Sequence, residues 1–274
     1  MEEYAIKKVL NNNVVIAQKN IKDYILVGKG IGFNGHKGQK IAREKIENIY
    51  VRQDLQGSSF NEILKEIDGK IVGVCEEIIS MCEKELKVKF NEAIHVSLPD
   101  HINFAFVRIR SGVKIENPFL SEILVLYPKE YKLAEKALEM INSRFEIKLP
   151  EDEVGFISMH INAAAKQKGV SSTLAYTKKV SELMMFISKL MGKEFNKNSL
   201  AYARTVTHIN FVLDRVINKK IIKNNLLDSI KKELYNEYDL AIKVAMKIQD
   251  LFSIRIPEDE IGYIALHLRR LYES

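Results

Sequence analysis

The chain has 274 residues, 46% of them hydrophobic and 28% charged, the balance of a globular protein and a length that calls for two or three domains. No apolar run approaches the ~20 residues a membrane-crossing helix needs, and MEEYAIKKVL lacks the apolar core of a secretory signal, so membrane insertion is excluded and a cytoplasmic location is expected. The net charge is +6, but residues 1–56 hold ten Lys and Arg against six Asp and Glu, while the rest of the chain holds 32 against 30. Such a basic excess at one end is a weak electrostatic footprint for a polyanion, since positive patches also occur on proteins that bind none.

In chain order, residues 4–51 show short β-prone runs (YAIKKVL, VVIAQ, YILVG, ENIYVR) separated by Asn11, Asn12, Asn13 and by glycines 28, 30, 32, 35 and 38. This pattern predicts a small antiparallel sheet. A domain of some fifty residues lies near the lower limit for independent folding, so dimerisation that buries a second face is expected. Beyond it, LKEIDGKIVGVCEEIISMCEKEL, KEYKLAEKALEMINSRF and AYTKKVSELMMFISKLMGKEF place apolar residues at helical intervals. Cys75 and Cys82 fall seven apart on the first of these and read as small buried hydrophobes of a reducing compartment.

An internal repeat organises the rest. Residues 98–161 align without gaps on 205–268 at an offset of 107, with 24 identities in 64 positions, among them HINF at His101 and His208 and PEDE at Pro150 and Pro257. The predicted organisation is therefore multidomain: a β-sheet domain over 1–56, then tandem all-α bundles over 58–169 and 170–274. In each copy the PEDE motif predicts a helix start, with proline in the first turn and Glu151, Asp152 and Glu153, or Glu258, Asp259 and Glu260, at the positive end of the dipole.

The repeat maps His101 on His208 and His160 on His267. His160 falls at the border of the apolar face made by Val154, Ile157 and Ile161, and Glu153, two turns earlier, shares its side. Arg108 follows His101 by seven residues and Arg215 repeats the relation to His208, so a cation and an imidazole share a helix edge twice. These histidines can be structural. An accessible imidazole, however, titrates near neutrality and is a competent nucleophile towards phosphorus, and an arginine beside it suits the phosphate it would carry. Metal binding is a rival with Asp100 as a further ligand, but neither copy offers a nearby cysteine or an HExxH spacing, and no metal site is assigned.

KKVLNNNVV followed by LVGKGIGF, then DHINFA, PEDEVGFISMHI, THINFV and PEDEIGYIALHL, in this order, resembles the BglG/SacY/LicT family of transcriptional antiterminators over essentially the whole chain. The resemblance implies a dimeric co-antiterminator domain that grips an RNA hairpin in the leader of a sugar-utilisation operon. It also implies two phosphotransferase-system regulation domains whose His101, His160, His208 and His267 accept phosphoryl groups from the phosphocarrier HPr and a sugar-specific enzyme II, with Asp100, Arg108 and Arg215 supporting the phosphate sites. Motif matching selects Lys8, Asn13, Gly28, Lys29 and Phe33 for RNA contact, as lysines neutralise phosphate, asparagines read base edges, and an aromatic ring stacks on an unpaired base. The same Asn-rich and Gly-rich stretches can be plain hairpin turns, and Phe33 can be core.

Two departures stand out. Lys29 occupies a place where many family members carry arginine, and it keeps the charge without the bidentate fork. Thr207 replaces Asp100 in the second copy, so the two histidine sites need not share a donor. The rival function is a DNA-binding activator with the same regulatory modules, which requires a helix-turn-helix in the first 60 residues. No nucleophile motif or P-loop marks the chain as an enzyme, and no cofactor is implied.

Overall fold

The computed structural model describes residues 3–20, 22–51, 66–220 and 222–273; the expected junction at 56–58 lies outside them. Five strands, β1 (Tyr4–Asn11), β2 (Val14–Lys19), β3 (Lys22–Val27), β4 (Lys40–Ile41) and β5 (Asn48–Val51), form one antiparallel sheet in the order β4-β1-β2-β3-β5. The β1–β2 turn is closed by the Asn11 side chain, whose Oδ1 accepts from the Asn13 amide at 2.8 Å, an Asx turn of the kind an Asn-rich stretch favours. One face of the sheet packs Tyr4, Ile6, Val15, Ala17 and Leu26 against Ile31, Ile41 and Ile46. Val14, Ile16, Ile25 and Val27, of opposite side-chain parity, are buried as well, because helix α1 (Gly69–Leu86) lies against β1, β2 and β3. Burial on both faces explains why VVIA reads as a continuous apolar run rather than an alternating one.

The sheet shares a compact unit with the first bundle, which takes in residues up to 117 and 129–170. Its helices are α1, α2 (Ile94–Arg110), α4 (Pro128–Arg144) and α5 (Glu153–Ala165). Asp68 caps α1 by accepting from the Lys70 amide at 2.9 Å, as N-cap aspartates do. The PEDE start differs from expectation in the first copy. Residues 150–152 form a turn before α5, and Asp152 accepts from the backbone of Asn117 at 2.6 Å instead of facing the helix end. Asp259 repeats this on Asn224 at 2.8 Å, so the repeated aspartate anchors a loop in each copy.

The second compact unit joins residues 118–128 to 171 onward. It contains α3 (Leu120–Leu126), α6 (Val170–Met191), α7 (Leu200–Ile217), α8 (Leu227–Glu233), α9 (Tyr235–Phe252) and α10 (Glu258–Glu273). Val180, Leu183, Ile187, Val206, Leu213, Val244, Ile248, Ile264 and Leu268 form its core. Helix α3 lies in the first copy by sequence yet packs on α7. It delivers the fully buried Glu122 to the hydroxyls of Ser181 at 2.8 Å and Tyr202 at 2.6 Å, with Lys197 Nζ at 3.3 Å. Compact units and sequence repeats therefore part at residues 118–128.

Gly28 has no room for a side chain, since a Cβ there would fall 1.9 Å from the carbonyl oxygen of Lys45. Backbone cannot yield as a flexible side chain would, so Gly28→Ala is expected to destabilise the sheet by about 2 kcal/mol or more, read as a lower urea midpoint. An unchanged midpoint would contradict this packing.

Candidate functional site

The predicted RNA-contact residues divide into scaffold and surface. Asn13 ties the β1–β2 turn to the glycine-rich loop: its Oδ1 accepts from the Gly30 amide at 2.9 Å and its carbonyl from the Gly28 amide at 3.0 Å. The Gly32 amide donates to the Asn12 carbonyl at 2.9 Å. Lys8 and Lys29 are exposed, and Phe33 is 64% exposed, so its ring is free for stacking and is not core. Asn13, Gly28 and Lys29 line one groove of about 400 Å³ together with Glu47, Glu77 and Lys84; Lys8 and Phe33 do not line it.

In the first bundle the histidines of α2 and α5 meet. The ring centroids of His101 and His160 are 5.0 Å apart at an interplanar angle of 40°, and Phe156 lies 5.6 Å from His101. His101 Nε2 lies 2.6 Å from Glu153 Oε2, within hydrogen-bond distance of that carboxylate. Asp100 is exposed, so the acid that meets His101 is Glu153, on the other helix. Arg108 does not turn to the pair, and its Nη2 donates to the Lys114 carbonyl at 3.1 Å.

His160 was expected at a solvent border and is instead buried, 8% exposed. The reason is that α5 is enclosed nearly all round: Ile157, Ser158, Met159, Ile161 and Asn162 are buried with it, leaving no polar face to have a border. Burial, and secondarily the neighbouring His101, push its pKa down to about 3. The ring is therefore neutral at pH 7, and its Nδ1 lies 3.3 Å from Ser97 Oγ.

In the second bundle α7 and α10 bring His208 and His267 closer, stacked at 3.6 Å between centroids and 15° between planes. Here the equivalent carboxylate, Glu260, is 2% exposed and is held by Arg215, whose Nε and Nη2 donate to its two oxygens at 2.7 and 2.6 Å. His208 and His267 form no ion pair among the described residues. Burial lowers the pKa of both. For His208 the cations Arg270, Arg215 and Arg204 add to the effect; for His267, brought down to about 4, His208, Arg270 and Arg215 do so. Two neutral imidazoles amid arginines keep their lone pairs at neutral pH and sit in a field that favours an arriving anion.

Sequence reasoning missed Glu153 as the partner of His101 and Glu260 as the partner of Arg215. Their signal was present in the repeat, since both precede the second histidine of a pair by seven residues. It also missed His95, whose Nδ1 lies 2.8 Å from the buried Glu76. Cys75 and Cys82 are buried free thiols, and burial pushes Cys82 up to about 12. Among the described residues no group of three or more His, Cys, Asp or Glu is placed to hold a metal.

Residues 4–58 match the CAT RNA binding domain family, and residues 76–164 and 181–271 each match the PRD domain family. Protein GlcT of Staphylococcus saprophyticus is 33% identical over 279 aligned residues, covering 100% of this chain and 99% of its own. Transcription antiterminator LicT of Bacillus subtilis is 32% identical over 274, covering 98% and 99%. A crystal structure of GlcT CAT-PRDI, 36% identical, covers 60% of this chain and 98% of that one, with a TM-score of 0.49.

Because the folded-state pKa of His160 lies below its unfolded value, the unfolded chain takes up the proton first, and stability is lost as pH falls from about 6.5 towards 3. Between pH 7 and 5 the loss traceable to this ring is expected to be about 2 kcal/mol, measured by urea denaturation. His160→Leu should flatten that dependence relative to the native chain, and equal slopes would contradict the burial argument.

Proposed function

We propose that this chain, which belongs to the BglG family of transcription antiterminators, binds an imperfect RNA hairpin in the leader of a sugar-utilisation operon and so keeps an overlapping terminator from forming. The observation that carries this reading is a basic, glycine-stapled sheet with Lys8, Lys29 and Phe33 at its surface, matching the CAT RNA binding domain and followed by two histidine pairs. Lys8 and Lys29 neutralise phosphates, Phe33 stacks on an unpaired base, and Asn13 reads a base edge once its amide, held here by Gly30 and Glu77, is released, while Gly28 keeps the backbone close. Two such sheets act together in a homodimer. The protein is a regulator, not an enzyme, and it works in the cytoplasm, where nascent transcript and phosphocarrier proteins meet.

His101, His208 and His267 are phosphoryl acceptors, with HPr and a sugar-specific enzyme II as donors, and His160, buried in this structure, accepts only once its bundle opens. The geometry supports different duties for the two pairs: Glu153 engages His101, whereas the arginine-flanked second pair has neutral rings ready for a dianion. Arg215 supports the second site through Glu260. Asp100 and Arg108 would support the first only after moving, Asp100 from an exposed position and Arg108 from the Lys114 carbonyl. The DNA-binding alternative needs a helix pair at the start of the chain, and the described residues of 3–51 form strands, turns and one 3-10 turn.

Binding of a leader hairpin to the full chain across a salt series tests the RNA reading. Lys29→Ala is expected to weaken binding and to reduce the slope of log K against log salt by about one, as the loss of a single phosphate contact does. Phe33→Ala should cost about ten- to a hundredfold at every salt concentration, the range for one lost base stack. Unaltered affinity in both variants would remove the RNA assignment from this surface.

A further inference from the structure

Helix α1 shows the sheet a polar stripe. Gly73, Glu77, Ser80 and Glu83 recur at steps of three and four and so share one face, and each meets the sheet or its turn. A Cβ on Gly73 would lie 2.5 Å from Asn11 Nδ2, so glycine at 73 is what allows the turn to approach. Asn48 donates to Ser80 Oγ at 2.5 Å, and the Tyr50 hydroxyl donates to Glu83 Oε2 at 3.0 Å. At the end of the stripe nearest the glycine-rich loop, Asn11 Nδ2 donates to Glu77 Oε1 at 2.8 Å and Asn13 Nδ2 to Glu77 Oε2 at 3.0 Å. Arg144, the last residue of α4, clamps the same carboxylate from the other side at 2.5 and 2.8 Å.

The second copy shows that this set is not part of the repeat's own packing. Ahead of the gap-free block the copies align at an offset of 105, which puts Phe90 and Asn91 on Phe195 and Asn196 and Glu77 on Glu182, an exposed acid paired with Lys247 at 2.6 Å; at the offset of 107 Arg144 becomes Leu251. A carboxylate bonded to two asparagine amides and a guanidinium at that place in the first copy therefore serves the sheet.

We propose that Glu77, pinned by Arg144, is an intramolecular latch that occupies the amides of Asn11 and Asn13 and so withholds the RNA-reading turn until the latch opens. This rests on the reading that Asn13 contacts RNA. With its Oδ1 on Gly30 and its Nδ2 on Glu77, Asn13 has both ends of its side-chain amide engaged, so the donor-and-acceptor pair that an asparagine offers a base edge is not available. The latch carboxylate also stands in the groove shared with Lys29, where its charge opposes an incoming phosphate. Any event that draws Arg144 away, or moves α1 relative to the sheet, frees the amides and uncovers the lysine together.

The test compares full-length native chain, Glu77→Ala, Glu77→Gln and Glu85→Ala in binding a pool of synthetic RNA hairpins with randomised internal loops, with Asn13→Ala made in each background. Glu85, exposed in the same groove, controls for the loss of one negative charge. Glu77→Ala is expected to raise affinity about tenfold, the scale of releasing hydrogen bonds to a charged group. Glu77→Gln, which keeps one carbonyl acceptor, should give a smaller rise, and Glu85→Ala no more than about twofold, the scale of an exposed charge. Asn13→Ala should erase the gain. Should Glu77→Ala fail to fold, the glutamine variant carries the comparison. Equal affinity in native chain and Glu77 variants, with Asn13→Ala still harmful, overturns the latch and leaves the RNA reading standing; binding that ignores Asn13 in every background overturns both.

Discussion

A carboxylate shut away from water must share its charge with a proton donor or a cation, and the way each buried glutamate of this chain does so decides how the rest of the molecule can act. Glu153 and Glu260 hold the same place in the two copies. The first takes its hydrogen bond from His101 and the second from Arg215 in a two-pronged clamp. That difference sets the character of the histidine pairs. In the first copy one ring is engaged by an acid and the other is sealed in a helix with no wet face. In the second, neither ring bonds an acid among the described residues, and the two are stacked on each other beside Arg215 and Arg270.

The same logic links the elements. Apolar side chains build each core, but the joints between elements run through glutamates: Glu76 to His95, Glu83 to Tyr50 and the Phe90 amide, Glu77 to the asparagine turn and Arg144, and Glu122 to Ser181 and Tyr202. Such joints are directional and break as units, because an acid that loses its partner is left charged and dry. They suit a protein whose regulatory input is itself a change of charge. A phosphoryl group on an imidazole brings about two negative charges into bundles whose registers are held by charged hydrogen bonds, so local chemistry has a route to larger rearrangement.

Much of this was legible in the amino acids. The offset that pairs His101 with His208 and His160 with His267 foretold two helical bundles, though not that the two histidines of each would face one another, and the Asn and Gly clusters foretold the turns of a small sheet. The carboxylate wiring was not legible, since periodicity says which side of a helix a residue takes but not which of several neighbours will win its hydrogen bond. Arg108 illustrates the limit: it has the spacing of Arg215, yet it closes the end of its own helix on the Lys114 carbonyl. His160 illustrates another, for a wheel drawn on one helix cannot show that partners cover its far side. Residues 118–128 carry the repeat's pattern, and nothing local shows that Glu122 will find Tyr202 eighty residues on.

The most direct measurement is the mapping of acid-labile phosphate on the full chain after incubation with phosphorylated phosphocarrier proteins, run for the native protein, Arg215→Ala and His208→Ala/His267→Ala. The expected result is phosphohistidine in the second copy that falls in yield when Arg215 is removed and vanishes when both imidazoles are. Label of undiminished yield in the double variant's second copy, or no histidine label on the native chain at all, would contradict the control that carboxylate wiring exerts over these imidazoles and their part as phosphoryl acceptors.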